Sequence, residues 1–303
     1  MAVRVLSVGV AVVDHVFRVD AFPTRPEKYR ARDAATVGGG GGANAAVAVA
    51  RLGGEAWLAA RVGDDATADT ILADLAAEGV RADLVRRFGG CRSSFSSVLV
   101  DDGGERQIVN FRDMGLSFDA GWLRERLAGM AFDAVLADTR WPDGALAAME
   151  RAVELGVPGV MDAEAPVREA EGAVRAASHV VFSAQGLRDW AEVPEGSDLA
   201  DLLRGAAEEL DAIVGVTDGA DGVRWIADGA LRHEPAPPLP APLADTLAAG
   251  DVWHGALALA LGEGQGLDPA MRFANAAATL KCVGGTGRSG APTRDAVEAL
   301  LGA

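Results

Sequence analysis

Asp245-Thr246-Leu247-Ala248-Ala249-Gly250-Asp251, running into Val252-Trp253-His254-Gly255 and an Ala/Leu-rich segment to Leu261, decides how this chain is to be read. A turn of small and polar residues opens directly into an apolar helix, with one carboxylate at the junction. Small residues let a ligand approach the backbone. The first N–H groups of a helix have no intrahelical partner and, with the helix dipole, attract anions. Asp251 in the first turn is then placed to take a proton from a hydroxyl, beside amides that stabilise transferring phosphoryl charge. An ordinary helix start is the plainer alternative, since Asp and Thr are favoured there anyway.

A second unusual stretch is Gly38-Gly39-Gly40-Gly41-Gly42-Ala43-Asn44, followed by Ala and Val at helical spacing to Leu52. Consecutive glycines allow close approach and unusual dihedrals. Asn44 can donate and accept towards sugar hydroxyls. No Gly-Lys-Ser/Thr follows, so this is not a Walker loop. It also stands too far from the first strand for a dinucleotide fingerprint.

Short apolar strands are predicted at Val3–Val10, Glu55–Val62, Ala134–Ala137, Gly159–Met161, His179–Phe182 and Ala212–Val216. Helix-length stretches separate most of them, and Ala66–Glu78 has an amphipathic pattern. Such alternation predicts a mostly parallel sheet with helices on both faces and ligands at the carboxyl ends of its strands. Residues 16–37 and the hairpin Ser93–Val100/Glu105–Arg112, with Asp101-Asp102-Gly103-Gly104 as its turn, do not fit that alternation. They predict a small inserted sheet, a lid spanning about 14–37 and 92–113 within one domain of 1–303. Closing it would exclude water, and its apolar face is the expected contact of a homodimer. The proline-rich segment Pro235–Pro242 reads as a rigid approach to the 245–251 turn.

The chain has 303 residues, half of them hydrophobic, and a net charge of −16 from 28 basic and 44 acidic side chains. That balance argues against nucleic acid or an anionic membrane as partner, because both require a basic footprint. Cys91 and Cys282 lie far apart with no metal-type spacing, which suits free thiols in a reducing cytoplasm. Asp14 and His15 interrupt the N-terminal apolar run, so it reads as a core strand and not as a signal peptide.

The glycine run with Asn44 resembles the first signature of the ribokinase-like (PfkB) carbohydrate kinases, and 245–255 resembles their second. Ala60-Arg61-Val62-Gly63-Asp64-Asp65 with Glu78-Gly79-Val80, and the nucleotide loop Thr217-Asp218-Gly219-Ala220-Asp221-Gly222, match two further landmarks in the right order. The resemblance implies a three-layer α/β/α domain with a small β-sheet lid. It implies transfer of the γ-phosphoryl of ATP, with Mg2+, to a sugar hydroxyl. Asp251 would be the base and the amides around Ala248, Ala249, Gly250 and Asp251 the anion hole. Asp14, Gly39, Gly40 and Asn44 would bind the sugar; Thr217, Gly219 and Gly222 would line the nucleotide site, with Asn275 beside the adenine.

Two positions depart from the family pattern: Ala248 replaces a glycine, and Ser183-Ala184-Gln185-Gly186 stands where an Asn-x-x-Glu motif would position the metal. The residues that hold the metal are therefore left open. A narrower resemblance, to sulfofructose kinases, rests on Lys28, Asn110, Ala137–Trp141 and the tails His254–Ala258 and Ala278–Cys282. It implies that Lys28, Asn110 and Arg140 clamp the sulfonate of 6-deoxy-6-sulfofructose, whose O1 would accept the phosphoryl group. Other sugars or sugar phosphates (fructose, fructose 6-phosphate, ribose, 2-keto-3-deoxygluconate) and a non-catalytic binding relative are the alternatives. A nicotinamide-dependent dehydrogenase lacks its fingerprint.

Overall fold

The computed structural model describes residues 2–103 and 105–302; Gly104, read above as part of a hairpin turn, lies outside them. The strands in chain order are β1 (Arg4–Val8), β2 (Val12–Arg18), β3 (Asp33–Gly39), β4 (Glu55–Gly63), β5 (Arg81–Phe88), β6 (Phe95–Val100) and β7 (Arg106–Phe111). Then follow β8 (Ala134–Asp138), β9 (Gly159–Ala163), β10 (His179–Ser183), β11 (Ile213–Thr217), β12 (Val223–Ala227) and β13 (Ala230–Glu234).

Nine of these form one sheet in the order β13-β12-β11-β10-β9-β8-β1-β4-β5. It is parallel from β11 to β5, and the β12–β13 hairpin is added antiparallel at one edge. Its central strands are apolar runs buried on both faces, the pattern of a sheet covered by helices on each side. The helices Gly41–Arg51, Ala66–Ala77, Ala249–Gly262 and Leu267–Gly284 share the core on one face. Those at Pro142–Leu155, Ala184–Ala191 and Leu199–Glu209 share the core on the other. The expected three layers are therefore present. The sequence reading missed three strands, edge strand β5 and the two strands of the β12–β13 hairpin.

The second sheet has the order β3-β2-β6-β7, with β2 and β6 parallel and the outer pairs antiparallel. It arises from the two segments set apart in the sequence. The chain passes between the sheets at Gly9–Ala11, Gly40, 89–94 and 112–120.

Small residues set the close packing at the first two crossings. A Cβ on Gly42 would lie 2.9 Å from the Gly9 backbone, and one on Gly255 would lie 2.6 Å from the Ala45 carbonyl oxygen. The two helices flanking the site can therefore approach each other and β1 at backbone distance. The landmark around Arg61 supports the third and fourth crossings. Asp65 caps the helix Ala66–Ala77 and accepts from both the N–H and the hydroxyl of Ser93 at 2.7 Å. Arg61 is buried between Phe118 and Trp141 and donates to the Leu116 and Ser117 carbonyls.

Candidate active site

The 245–251 segment forms the turn and helix start expected of it. Ala248 has φ 68°, a left-handed conformation that costs a residue with a Cβ about 1–2 kcal/mol. This is the physical reason a glycine would suit the position. The Ala249 N–H is taken by the Thr246 carbonyl at 3.2 Å. The Gly250 and Asp251 N–H groups have no acceptor among the described residues, so the open donors at this helix end are those two. A Cβ at Gly250 would meet nothing within 4 Å, which leaves this surface accessible.

Asp251 sits in the first turn of Ala249–Gly262, and its Oδ2 accepts from Asn44 Nδ2 at 2.7 Å. Burial, opposed by that hydrogen bond and reinforced by the charges of Glu164, Asp138 and Asp14, pushes its carboxyl up to about 6. Asn44 is 5% exposed and lines the cavity, and its Oδ1 is buried without a hydrogen-bond partner among the described residues. Asp14, on β2, is also buried and also shifted up, chiefly by burial. Gly39 does not line the cavity: a Cβ there would lie 2.1 Å from Asp14 Oδ2, so its absence of a side chain makes room for that carboxylate. Gly40, at φ 93°, lines the cavity and leads into the helix carrying Asn44.

Asp138, quoted in the sequence only as a neighbour of Arg140, is a structural hub. Its Oδ2 accepts from Val10 N–H and Gly42 N–H at 2.9 Å each, and its Oδ1 from Arg140 N–H at 2.9 Å. One carboxylate thereby joins β8 to the first two crossings between the sheets.

These residues line a cavity of about 810 Å3. The small sheet supplies its other wall through Ser96, Val98, Arg106, Ile108 and Asn110, with Arg112 just beyond β7. Of the three residues expected to converge on an anion, Asn110 and Arg140 line this cavity. Lys28 does not; it is exposed on the segment joining β2 to β3. Arg140 is paired with Glu164 at 2.8 Å. Arg106 and Arg112, which the sequence reading passed over, make no salt bridge among the described residues. Arg112 is partly buried, donates to the Arg140 carbonyl at 2.6 Å and lies over Phe118.

A second cavity of about 500 Å3 adjoins the first and shares Thr217, Thr246, Ala249 and Gly250 with it. Its walls are mostly apolar and include Pro237, Pro238, Leu239 and Trp253. The proline-rich segment is therefore a wall of this cavity as well as an approach to the turn. Gly219 and Gly222 line it too. Gly222 has φ 83°, and a Cβ there would lie 2.2 Å from the Glu234 carbonyl oxygen, so only glycine fits. Asn275 also lines it, with its amide committed: Oδ1 accepts from Trp253 Nε1 at 2.7 Å and Nδ2 donates to the Glu234 carbonyl at 2.9 Å.

Beyond Asp251, the carboxyl ends of the strands bring Asp162 and Glu164 to the first cavity. Burial and then the nearby Asp251 charge hold the Asp162 carboxyl well above the usual range. His254, buried and pushed down by that burial, lies with Nε2 3.1 Å from the Val181 carbonyl and Nδ1 3.5 Å from Asp162 Oδ2. Ser183 caps the helix Ala184–Ala191 by accepting from Gly186 N–H. A Cβ at Gly186 would fall 1.9 Å from the Ala163 carbonyl oxygen. The packing itself therefore excludes a side chain where the resemblance led us to look for a glutamate.

An apolar cavity and a polar one meet at a helix N-terminus that bears a carboxylate. That arrangement suits transfer of a phosphoryl group from a nucleotide to a hydroxyl. Known proteins agree. Residues 3–294 match the model of the pfkB family of carbohydrate kinases. The chain is 28% identical to the ribokinase of Bacillus subtilis, covering 98% of this chain and 99% of the relative. It is 32% identical to the ATP-dependent ribose-1-phosphate kinase of Halopiger xanaduensis, covering 99% and 98%. A crystal structure from Agrobacterium tumefaciens, provisionally assigned as a ribokinase, superposes with a TM-score of 0.92 at 37% identity, covering 100% of this chain and 98% of that one. The chain thus belongs to the pfkB family of carbohydrate kinases and is, like them, an ATP-dependent sugar kinase that works with Mg2+.

Proposed function

We propose that this kinase phosphorylates an anionic sugar, with O1 of 6-deoxy-6-sulfofructose as the acceptor, and that Asp251 is its catalytic base. The observation that carries the anionic substrate is Arg112: a partly buried guanidinium on the sugar cavity with no carboxylate partner. Arg106, Asn110 and Arg140 share that wall and complete an oxyanion-binding surface. The Halopiger relative, whose name gives it a sugar phosphate as substrate, supports the same reading. Lys28 is not part of the surface proposed.

The residues act as follows. Asn44 holds Asp251 with its amide and offers its unused Oδ1 to a sugar hydroxyl, so base and substrate are aligned through one side chain. Asp14 accepts from a second hydroxyl. Asp251 takes the proton of the attacking hydroxyl, and the Gly250 and Asp251 amides bind the phosphoryl oxygens as charge shifts. Thr217, Gly219 and Gly222 bind the nucleotide, and Asn275 fixes the cavity wall against which the base rests. The donor set fits a divalent cation: Asp162 and Glu164 are carboxylates crowded by Asp138 and Asp251, and Mg2+ needs only one or two carboxylates besides phosphates and water. Held there, a divalent cation would neutralise charge on the transferring phosphates.

The small sheet closes over the sugar as a lid. Val109 and Ile108 on its outer strand β7 are 69% and 50% exposed, and we assign this edge to pairing with a second copy of the chain. Sedimentation is expected to show a dimer, and Val109→Lys to yield a monomer; a monomeric parent protein sinks the pairing. Two free cysteines and the use of ATP fit a cytoplasmic enzyme.

The substrate is tested by kcat/KM across sulfofructose, fructose 6-phosphate, ribose 1-phosphate, fructose and ribose. Sulfofructose is expected to lead. Arg112→Ala and Arg140→Ala should raise KM for the anionic sugar by about 10- to 150-fold, the effect of losing a charge-assisted hydrogen bond, and leave neutral sugars almost unchanged. A parent enzyme that prefers fructose or ribose would overturn the anionic substrate and leave a neutral-sugar kinase, the reading favoured by the Bacillus relative's name.

A further inference from the structure

Lys281 is fully buried, and none of the steps above uses it. Its ammonium donates to the Asp245 carbonyl and to Asp245 Oδ1, at 2.9 Å each. Asp245 is itself held at almost every polar atom. Oδ1 also accepts from Leu247 N–H at 2.6 Å, Oδ2 from Gly287 N–H at 3.3 Å, and its own N–H reaches the Cys282 carbonyl at 3.2 Å. The ammonium therefore pins the residue from which the catalytic turn starts. Three residues later the chain must pass Ala248 in the left-handed conformation before it exposes the open amides of Gly250 and Asp251. A strained conformation of this kind persists only where its surroundings over-determine it. The fixed ends of this turn are the helix on one side and Asp245 on the other.

We propose that Lys281 is a positioning residue for phosphoryl transfer: a built-in cation that locks Asp245, so that the turn through Ala248 aims the Gly250 and Asp251 amides at the transferring group. The inference rests on the reading that this turn is the phosphoryl site. Without the ammonium, Asp245 keeps its bonds to the turn and its N–H bond to the Cys282 carbonyl, but its carboxylate and its carbonyl lose their hold on helix Leu267–Gly284. The turn is then free to relax at Ala248, and the amides drift from their aim. Displacement of a catalytic group by about 1 Å costs about 100-fold in rate.

Lys281→Ala opens a space that n-propylammonium fills, restoring the charge at the same depth; n-propanol fills it without charge. In Lys281→Ala, kcat is expected to fall about 100-fold while KM for the sugar stays near the parent value. Propylammonium is expected to recover kcat by about tenfold or more, and propanol to recover little. A buried Asp245 without its partner could itself unfold the chain. Lys281→Met with Asp245→Asn removes both charges, and its kcat is expected to fall similarly while it remains folded. A folded variant of either kind with kcat within about threefold of the parent, or equal recovery by propanol, overturns the proposal. If Asp251→Asn is inactive in the same assay, that failure belongs to Lys281 and not to the assignment of the turn.

Discussion

Asp251→Asn is expected to lose about 10²–10⁴ in kcat and at the same time to gain stability at neutral pH. The two effects have one origin. The carboxyl is pushed up to about 6, first by burial, so the folded protein binds this proton more tightly than the unfolded chain does. Stability from that proton is fully present below about pH 4, the ordinary carboxyl value, and is lost as pH rises through about 6. At pH 7 the ionised group is therefore a net cost, on the order of 1–3 kcal/mol. Asparagine removes the charge, and its carbonyl oxygen can still accept from Asn44 Nδ2. Thermal unfolding of the ligand-free proteins is expected to give similar Tm values near pH 4 and a higher Tm for the variant at pH 7. Sugar and ATP binding should survive. Near-parental kcat would remove Asp251 from the mechanism, and equal Tm values at pH 7 would remove the burial argument.

Gly186→Glu, the substitution that rebuilds the family's metal-positioning motif, is expected to damage the protein instead of improving it. The glycine lies on the first turn of a helix set directly over the end of β9. A Cβ there would lie 1.9 Å from the Ala163 carbonyl oxygen, a rigid backbone atom of the central sheet. The helix would have to lift off the strand, which also displaces Asp162 and Glu164. Overpacking of this kind costs about 1–3 kcal/mol, and more when backbone must move. A loss of at least that size in denaturant unfolding is expected, with no gain in the Mg2+ dependence of kcat. Parental stability with tighter Mg2+ dependence would show that this helix can move and that the site has room for the family's carboxylate.

The architecture could be read from the chain where hydrophobic pattern and backbone chemistry coincide. The buried parallel strands are continuous apolar runs, and the glycine run and the 245–251 turn open helices where their small residues predict. The parallel strands, however, extend further than their apolar runs. β8, β10 and β11 each continue through one polar residue, Asp138, Ser183 and Thr217, all of which line the larger cavity. Hydrophobicity ends one residue before the sheet does, so a reading by apolar runs stops short of the cavity. The β12–β13 hairpin carried its own signal in Asp228-Gly229, both with positive φ, between two alternating runs. Edge strand β5 is half charged and exposed, and no period marks it. Arg112 and Lys28 failed for a different reason. Nothing in the spacing says which cation on a connecting segment turns inward, because that depends on the crossing between two sheets. Lys281 stands in the sequence reading only within the Ala278–Cys282 tail, because its burial against Asp245 joins two distant segments and no local spacing shows it.

The proposed division of labour between the two cavities would give the molecule separate traffic on its two sides. Strands of the small sheet wall the larger cavity and contribute nothing to the smaller one. On the assignment proposed above, whatever opens or shuts that sheet would govern the passage of sugar and sugar phosphate alone. The nucleotide would reach the shared wall at Thr217 and Gly250 from a side the sheet does not line. Spent nucleotide would then depart, and fresh nucleotide arrive, while the sugar remains enclosed.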